Sequence, residues 1–193
     1  MRYKTPFPLA AAAILSAAPA HAHAEGEAWT HDFDAAKKEA AAENKDLLID
    51  FTGSDWCPPC KDLNKRIFSQ ESFQKSAAKD FALVELDFPR TEPVLAKLSP
   101  ETHEQNERLR NRYQVQAFPT VLLTDAEGRP YAQTGHRSFG PDEYLEHLKE
   151  LQANKTARDA AFAKAKDLEG LEKANALFEG LRAVPQDYRN YYP

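Results

Sequence analysis

The run Leu47-Leu48-Ile49-Asp50-Phe51 is short and apolar, with β-branched and aromatic members, and it is bounded by charged residues on one side and by Gly53 and Ser54 on the other. Such a run reads as a buried strand. Both cysteines of the chain, Cys57 and Cys60, follow it three positions apart with Pro58 and Pro59 between them. They lie on the turn leaving the strand, and "KDLNKRIFSQESFQKSAAK" continues as helix-compatible sequence with a break around Ser69. A strand, a tight turn and a helix opened by a C-x-x-C pair leave few folds and few chemistries open.

The flanking sequence alternates in the same way. Over residues 30–44, Phe33, Ala36, Ala40 and Ala41 fall at helical spacing, with Thr30 or Asp32 as N-cap and Asn44 as the stop. "FALVELDF", Phe81 to Phe88, reads as the next strand. Ser99 followed by Pro100 is a specific helix start. "TVLLTD" and "PYAQTG", separated by Glu127-Gly128, read as a hairpin, and a helix opens at Pro141 and Asp142. The expected fold class is therefore α/β, a central sheet of about four strands flanked by helices. From Lys155 to Pro193 the pattern is helix only, splitting at Gly170 into two short amphipathic helices, the second with Leu171, Ala174, Leu177, Phe178 and Leu181 on one face. This helical hairpin either covers an apolar patch of its own domain or docks a partner or second copy.

The first residues have another character. Arg2 and Lys4 precede an apolar run from Phe7 to Leu15, and small-x-small sites follow at Ala20-His21-Ala22 and Ala22-His23-Ala24. Residues 1–24 read as a cleaved secretory signal, since the apolar run is about half of the roughly 20 residues that span a bilayer. The expected location is periplasmic or secreted, an oxidising compartment, without stable membrane insertion. With Arg2 and Lys4 removed the basic count falls from 25 to 23 against 30 acids, so the mature net charge is −7 rather than −5. No Lys/Arg run rises above that background, which makes nucleic acid and anionic membranes poor partners.

A C-x-x-C pair can be a staple, half a metal site or a redox pair. As a staple it is weak, because closing a loop of about four residues stabilises by only about 2 kcal/mol against about 3 for a loop of 15. As a zinc site it lacks its other half: there is no second cysteine pair, and His103, His136 and His147 show no H-x3-5-H spacing. The strand-turn-helix context favours the third reading. A helix begun at Cys57 points backbone N–H groups and its positive end at that sulfur, which favours the thiolate. Cys57 is then the nucleophile, and Cys60, one turn on, resolves the mixed disulfide. Pro58 and Pro59 supply no N–H, so only Cys60 can donate to the Cys57 sulfur, and the Cys57 pKa is expected nearer about 7 than the about 3.5 of the strongest oxidants. The exchange needs two sulfurs and neither cofactor nor metal.

"LLIDFTGSDWCPPCK" followed by "QAFPTVLL" resembles the thioredoxin superfamily, and "DFTGSDWC...CK...IFS...F" with "ELDFPR" and "Y.V..FPT" is similar to its exported bacterial thioredoxin-like members of the disulfide reductase type. The match covers about residues 29–152. The resemblance implies a thioredoxin fold with a C-terminal helical extension, an exposed Cys57 and a buried Cys60. It assigns Pro119 as a cis-proline facing the disulfide, with Trp56, Phe118 and Thr120 on the substrate-binding side; the alternative is a trans strand-edge proline. Asp50 becomes the buried acid that exchanges protons with Cys60, the alternative being a strand-end acid reaching solvent. Three departures stand out: Pro-Pro between the cysteines, one extra residue between strand and tryptophan, and Glu85 where the family often carries lysine, which makes Glu85 a modulator of Asp50.

The expected function is a thiol-disulfide oxidoreductase that reduces disulfides of protein substrates. With no third cysteine it needs an external dithiol donor, expected to be membrane-embedded. An oxidase or isomerase of secreted proteins, and a non-catalytic thioredoxin-like interaction module, are the competing readings.

Overall fold

In the computed structural model, which describes residues 28–192, the chain begins at β1 (Trp29–Thr30), forms α1 (Phe33–Glu43) and returns as β2 (Asp46–Thr52). Residues 1–24, read above as a signal, lie outside the described residues. Asp32 caps α1 by accepting from the Ala35 N–H at 2.9 Å, and Asn44 closes it in the left-handed conformation with φ 54°. The chain then runs through α2 (Pro58–Leu63), a π-helical turn at Asn64–Phe68 that ends at Ser69, α3 (Glu71–Ala77), β3 (Phe81–Asp87), α4 (Glu92–Leu95) and α5 (Pro100–Arg112). β4 (Thr120–Thr124) and β5 (Pro130–Thr134) form the hairpin, followed by α6 (Pro141–Ala165), α7 (Gly170–Arg182) and a 3-10 turn at Gln186–Tyr191.

The described strands form one five-stranded sheet in the order β1-β3-β2-β4-β5, with β1 and β2 parallel to β3, and β4 antiparallel to β2 and β5. All seven residues of β2 are buried, since helices cover both faces of the sheet. Leu47, Ile49 and Phe51 face a core with Phe33, Leu109 and Tyr113, while Leu48 faces a second core with Leu63, Phe73, Tyr131 and Tyr144. Burying each such side chain is worth about 1.5–3 kcal/mol. Asp46 and Asp50 share the second face with Leu48, because side chains two apart point the same way.

Three expectations need correction. The sheet has a fifth strand, β1, whose two residues lack a local strand pattern and are set by pairing Trp29 with Leu83 and Thr30 with Val84. The helix opened at Pro141 does not stop before Lys155: α6 is continuous to Ala165, so the first of the two short tail helices is its second half. Long-range ion pairs hold that half, Lys155 to Asp46 at 2.5 Å and Arg158 to Asp125 at 3.3 Å. Finally, the leucine and phenylalanine face of α7 is not its buried one, although Leu181 packs, partly buried, against the first core. Ala176 and Gly180 are the buried positions, while Leu171 is 75% and Phe178 56% exposed. A side chain at 180 would put its Cβ 2.5 Å from the Phe162 ring, so glycine permits the close crossing of α6 and α7. After α7, Val184, Tyr188 and Tyr192 enter the first core.

Candidate active site

The turn from β2 to α2 is tied down residue by residue. The Cys57 N–H donates to the Gly53 carbonyl at 3.0 Å. Ser54 donates through its N–H and hydroxyl to the Asp87 carboxylate at 2.8 and 2.6 Å. The Asp55 carboxylate accepts from the N–H groups of Arg90 and Thr91. Trp56 donates from Nε1 to the Phe88 carbonyl at 2.7 Å, meets Phe118 edge-on, and lies so close to Gly53 that a Cβ there would be 2.6 Å from its ring. The turn is thus pinned to the end of β3 and to the loop beyond it.

Cys57 occupies the N-cap of α2, and its sulfur accepts the Cys60 N–H at 3.3 Å. Pro58 and Pro59 take the two positions between and donate nothing, so this bond is the one the first helical turn offers. The two sulfurs are joined as a disulfide. Exposure does not separate the cysteines as the resemblance implied: both are 2% exposed in this oxidised state. Cys57 differs from Cys60 instead by position, at the cap rather than inside the helix.

The Phe118–Pro119 peptide is cis. Thr120, paired across the sheet with Phe51, donates from its hydroxyl to the Ala117 carbonyl at 2.8 Å and closes the loop before β4. The Pro119 carbonyl would be 2.8 Å from any Cβ at Gly135, so that glycine is needed for the approach of the β5 end. The Phe118 ring sits between Trp56, which it meets edge-on, and the tilted ring of Phe88, at ring separations of 5.7 and 5.1 Å.

Asp50 is 3% exposed, and its Oδ1 is buried with no hydrogen-bond partner among the described residues. Burial pushes its carboxyl well above the ordinary carboxylate range, and the charges of Glu85 and then Asp87 push it further. Glu85 lies directly opposite Asp50 in the β2–β3 register. Its carboxylate lies 4.0 Å from His31 Nδ1, on the segment leaving β1. Sequence reasoning missed Asp87, Phe88, Arg90 and His31. Asp87 was legible as the second acid of the period-2 pair Glu85/Asp87 in "VELD", whereas the other three are set by long-range packing.

Residues 33–152 match the thioredoxin-like domain family. The chain belongs to the thioredoxin-like family. Over 114 residues it is 30% identical to the disulfide bond reductase DsbH of Chlamydia pneumoniae, covering 59% of this chain and 66% of that protein. It is 27% identical over 112 residues to the thioredoxin-related protein DsbJ of the same organism, covering 58% of this chain and 30% of that protein. The match thus spans just under two thirds of the first relative and less than a third of the second. A solved DsbH oxidoreductase structure superposes with a TM-score of 0.58 at 26% identity, covering 70% of this chain and 94% of that one. The thioredoxin-like domain is of the Dsb thiol-disulfide oxidoreductase type, and it holds the Cys57–Cys60 disulfide. The matched segment ends at residue 152, inside α6, so the second half of that helix and α7 lie outside the shared domain.

Proposed function

We propose that this protein is an exported disulfide reductase that acts on protein substrates. The observation that carries the reading is the Cys57 sulfur at the N-cap of α2, served by a single backbone N–H. One donor stabilises a thiolate moderately, which suits a pair that gives its electrons away better than one that takes them. Similarity to a protein named as a disulfide bond reductase supports the same direction. Export is supported by the basic, apolar and small-residue pattern of residues 1–24, and no described helix is long and apolar enough to cross a membrane.

In the reducing half-reaction the Cys57 thiolate attacks one sulfur of the substrate disulfide. A Cys57–substrate disulfide forms and one substrate thiolate leaves, taking a proton. Cys60, deprotonated with Asp50 as the proton acceptor, then attacks the Cys57 sulfur, the Cys57–Cys60 bond forms and the second substrate thiol departs. Two electrons pass to the substrate. Glu85 modulates Asp50, and the cis Phe118–Pro119 segment with Trp56 and Thr120 positions the substrate beside the sulfurs. An external dithiol donor, membrane-embedded, returns the two electrons, because no third cysteine is available to do so.

The test is a trap combined with a redox measurement. Cys60→Ala should accumulate mixed disulfides through Cys57 with exported proteins, and the wild-type pair should be found reduced in its compartment. A pair found oxidised there, passing its disulfide on to reduced proteins, would reverse the direction.

A further inference from the structure

The aromatic surface beside the disulfide carries a cation that the exchange chemistry does not use. The Arg90 guanidinium carbon lies 3.4 Å over the Trp56 ring, the face-on stacking that a planar guanidinium favours. Trp56 is the residue immediately before Cys57, and its ring meets Phe118 of the cis-proline segment, so Arg90 lies against the surface on which a substrate would be held. Arg110 approaches the same group, 5.6 Å from the Phe118 ring and 5.8 Å from the Phe88 ring.

Three nearby acids are otherwise engaged. Asp55 accepts the backbone N–H groups of Arg90 and Thr91, Asp87 accepts both donors of Ser54, and Glu107 lies 3.8 Å from Arg110. The Arg90 side chain is exposed, and among the described residues no carboxylate pairs with it. Its N–H donors are therefore held on a rigid platform, oriented and unspent. The chain as a whole has 30 acids against 25 bases, so its general field disfavours acidic substrates. Against that field Arg90 is a cation held on Trp56, the residue before Cys57, and a carboxylate that pairs with it does so at short range, where screening is least.

We propose that Arg90, stacked on Trp56 beside the Cys57–Cys60 pair, selects disulfides whose cysteine is flanked by a carboxylate, an acidic peptide segment being the substrate class. This deepens the reductase reading and rests on it. The carboxylate pairs with the guanidinium edge while the aromatic face carries the neighbouring side chain, which lowers the free energy of the encounter and of mixed-disulfide formation without altering the sulfur chemistry.

The test uses the full chain, reduced, with three synthetic peptide disulfides that differ only at the residue beside cysteine: Glu, Gln or Lys. The wild type should show kcat/KM about fivefold higher for the Glu than for the Lys peptide at low ionic strength, as expected for a partly exposed charge pair, and the ratio should shrink in concentrated salt. Arg90→Gln should bring the ratio towards one, and Arg90→Glu should invert it. Because each variant is read as a ratio between peptides, a loss of folded protein cancels. Equal wild-type rates on the three peptides, or a preference unchanged in both variants, would overturn the assignment of Arg90. If none of the three peptides is reduced, the reductase reading itself falls.

Discussion

Asp46 and Asp50 stand four residues apart on one strand face, both almost sealed from water at 4% and 3% exposure, yet they live in opposite environments. Asp46 accepts the Tyr131 hydroxyl at 2.7 Å and the Lys155 ammonium at 2.5 Å, so both carboxylate oxygens are served. Burial, with the Asp46 charge beside it, raises the Tyr131 hydroxyl far above its usual range and keeps it a donor. Asp50 has an oxygen with no donor among the described residues, and two acids for neighbours. The same residue type at the same depth is a fastener in one place and, in the proposed mechanism, a proton acceptor in the other. What separates them is the supply of donors: α6 delivers Lys155 to the Asp46 end, and β3 delivers Glu85 and Asp87 to the Asp50 end.

The largest effect expected from this contrast is on folding. Asp46→Ala leaves the Tyr131 hydroxyl and the Lys155 ammonium without their acceptor and should cost about 2–4 kcal/mol, the lower part of the range if Lys155, partly exposed, turns to water. Urea unfolding checks this, with activity per folded molecule retained. A loss below about 0.5 kcal/mol would mean that the pairing does not hold α6 to the sheet.

At the other end the effect should be catalytic. Asp50→Asn keeps the shape and removes the proton acceptor, so resolution of the mixed disulfide should slow at least about tenfold while its formation, which depends on Cys57, changes little. Stopped-flow measurement of both steps between about pH 6 and 9 tests the scheme. An unchanged resolution rate across that range would make Asp50 a structural acid like Asp46, and the contrast would collapse.

The same substitution has a stability signature of opposite sign to Asp46→Ala. Asp50 has a raised pKa in the folded state, so between its unfolded value of about 3.9 and its folded one the folded chain holds the proton and the unfolded chain does not. Wild-type stability therefore falls as pH rises through that window, by up to about 1.4 kcal/mol per pH unit. Asp50→Asn removes the slope and should gain on the wild type as pH is raised above about 4. Unfolding curves from about pH 4.5 to 5.5 contain the test; parallel pH profiles for the two proteins would show that Asp50 does not titrate differently on folding.

Much of this site is legible in the sequence, because its signals are local. The apolar run Leu47–Phe51, the proline-flanked cysteines and the F-P-T triplet each specify backbone through neighbours in sequence. The residues that distinguish the two aspartates were not legible in that way. Lys155 lies in a polar stretch that reads as a break between helices, and its ion pair with Asp46, across 109 positions of sequence, together with that of Arg158 with Asp125, holds the part of α6 that runs on. Arg90 reads as a loop cation until Trp56 is seen beneath it. On α7 the periodicity picks the face with the larger side chains, whereas close packing against Phe162 selects the smaller ones, Ala176 and Gly180. Local pattern identifies elements; which polar residue meets which is decided by the sheet order.

The smallest effect concerns Glu85, and it divides the causes that act on Asp50. Burial comes first among them and the Glu85 charge second, with Asp87 behind it. Glu85→Gln removes the second cause and leaves the first, so the Asp50 titration should move towards lower pH yet remain above the ordinary carboxylate range. Glu85→Lys should move it further, since an opposite charge takes the place of a like one at the same register position. Glu85 is partly open to water, at 23% side-chain exposure, and lies beside His31, so screening limits the stability change of Glu85→Gln to less than about 1 kcal/mol. The titration is read directly from the Asp50 carboxyl carbon by NMR in the oxidised protein, and the midpoint of the resolution step should follow it in the same direction. A midpoint that stays where it was would mean that desolvation alone raises the Asp50 titration, and the difference between the two aspartates of β2 would then lie in the missing donors and not in the neighbouring acids.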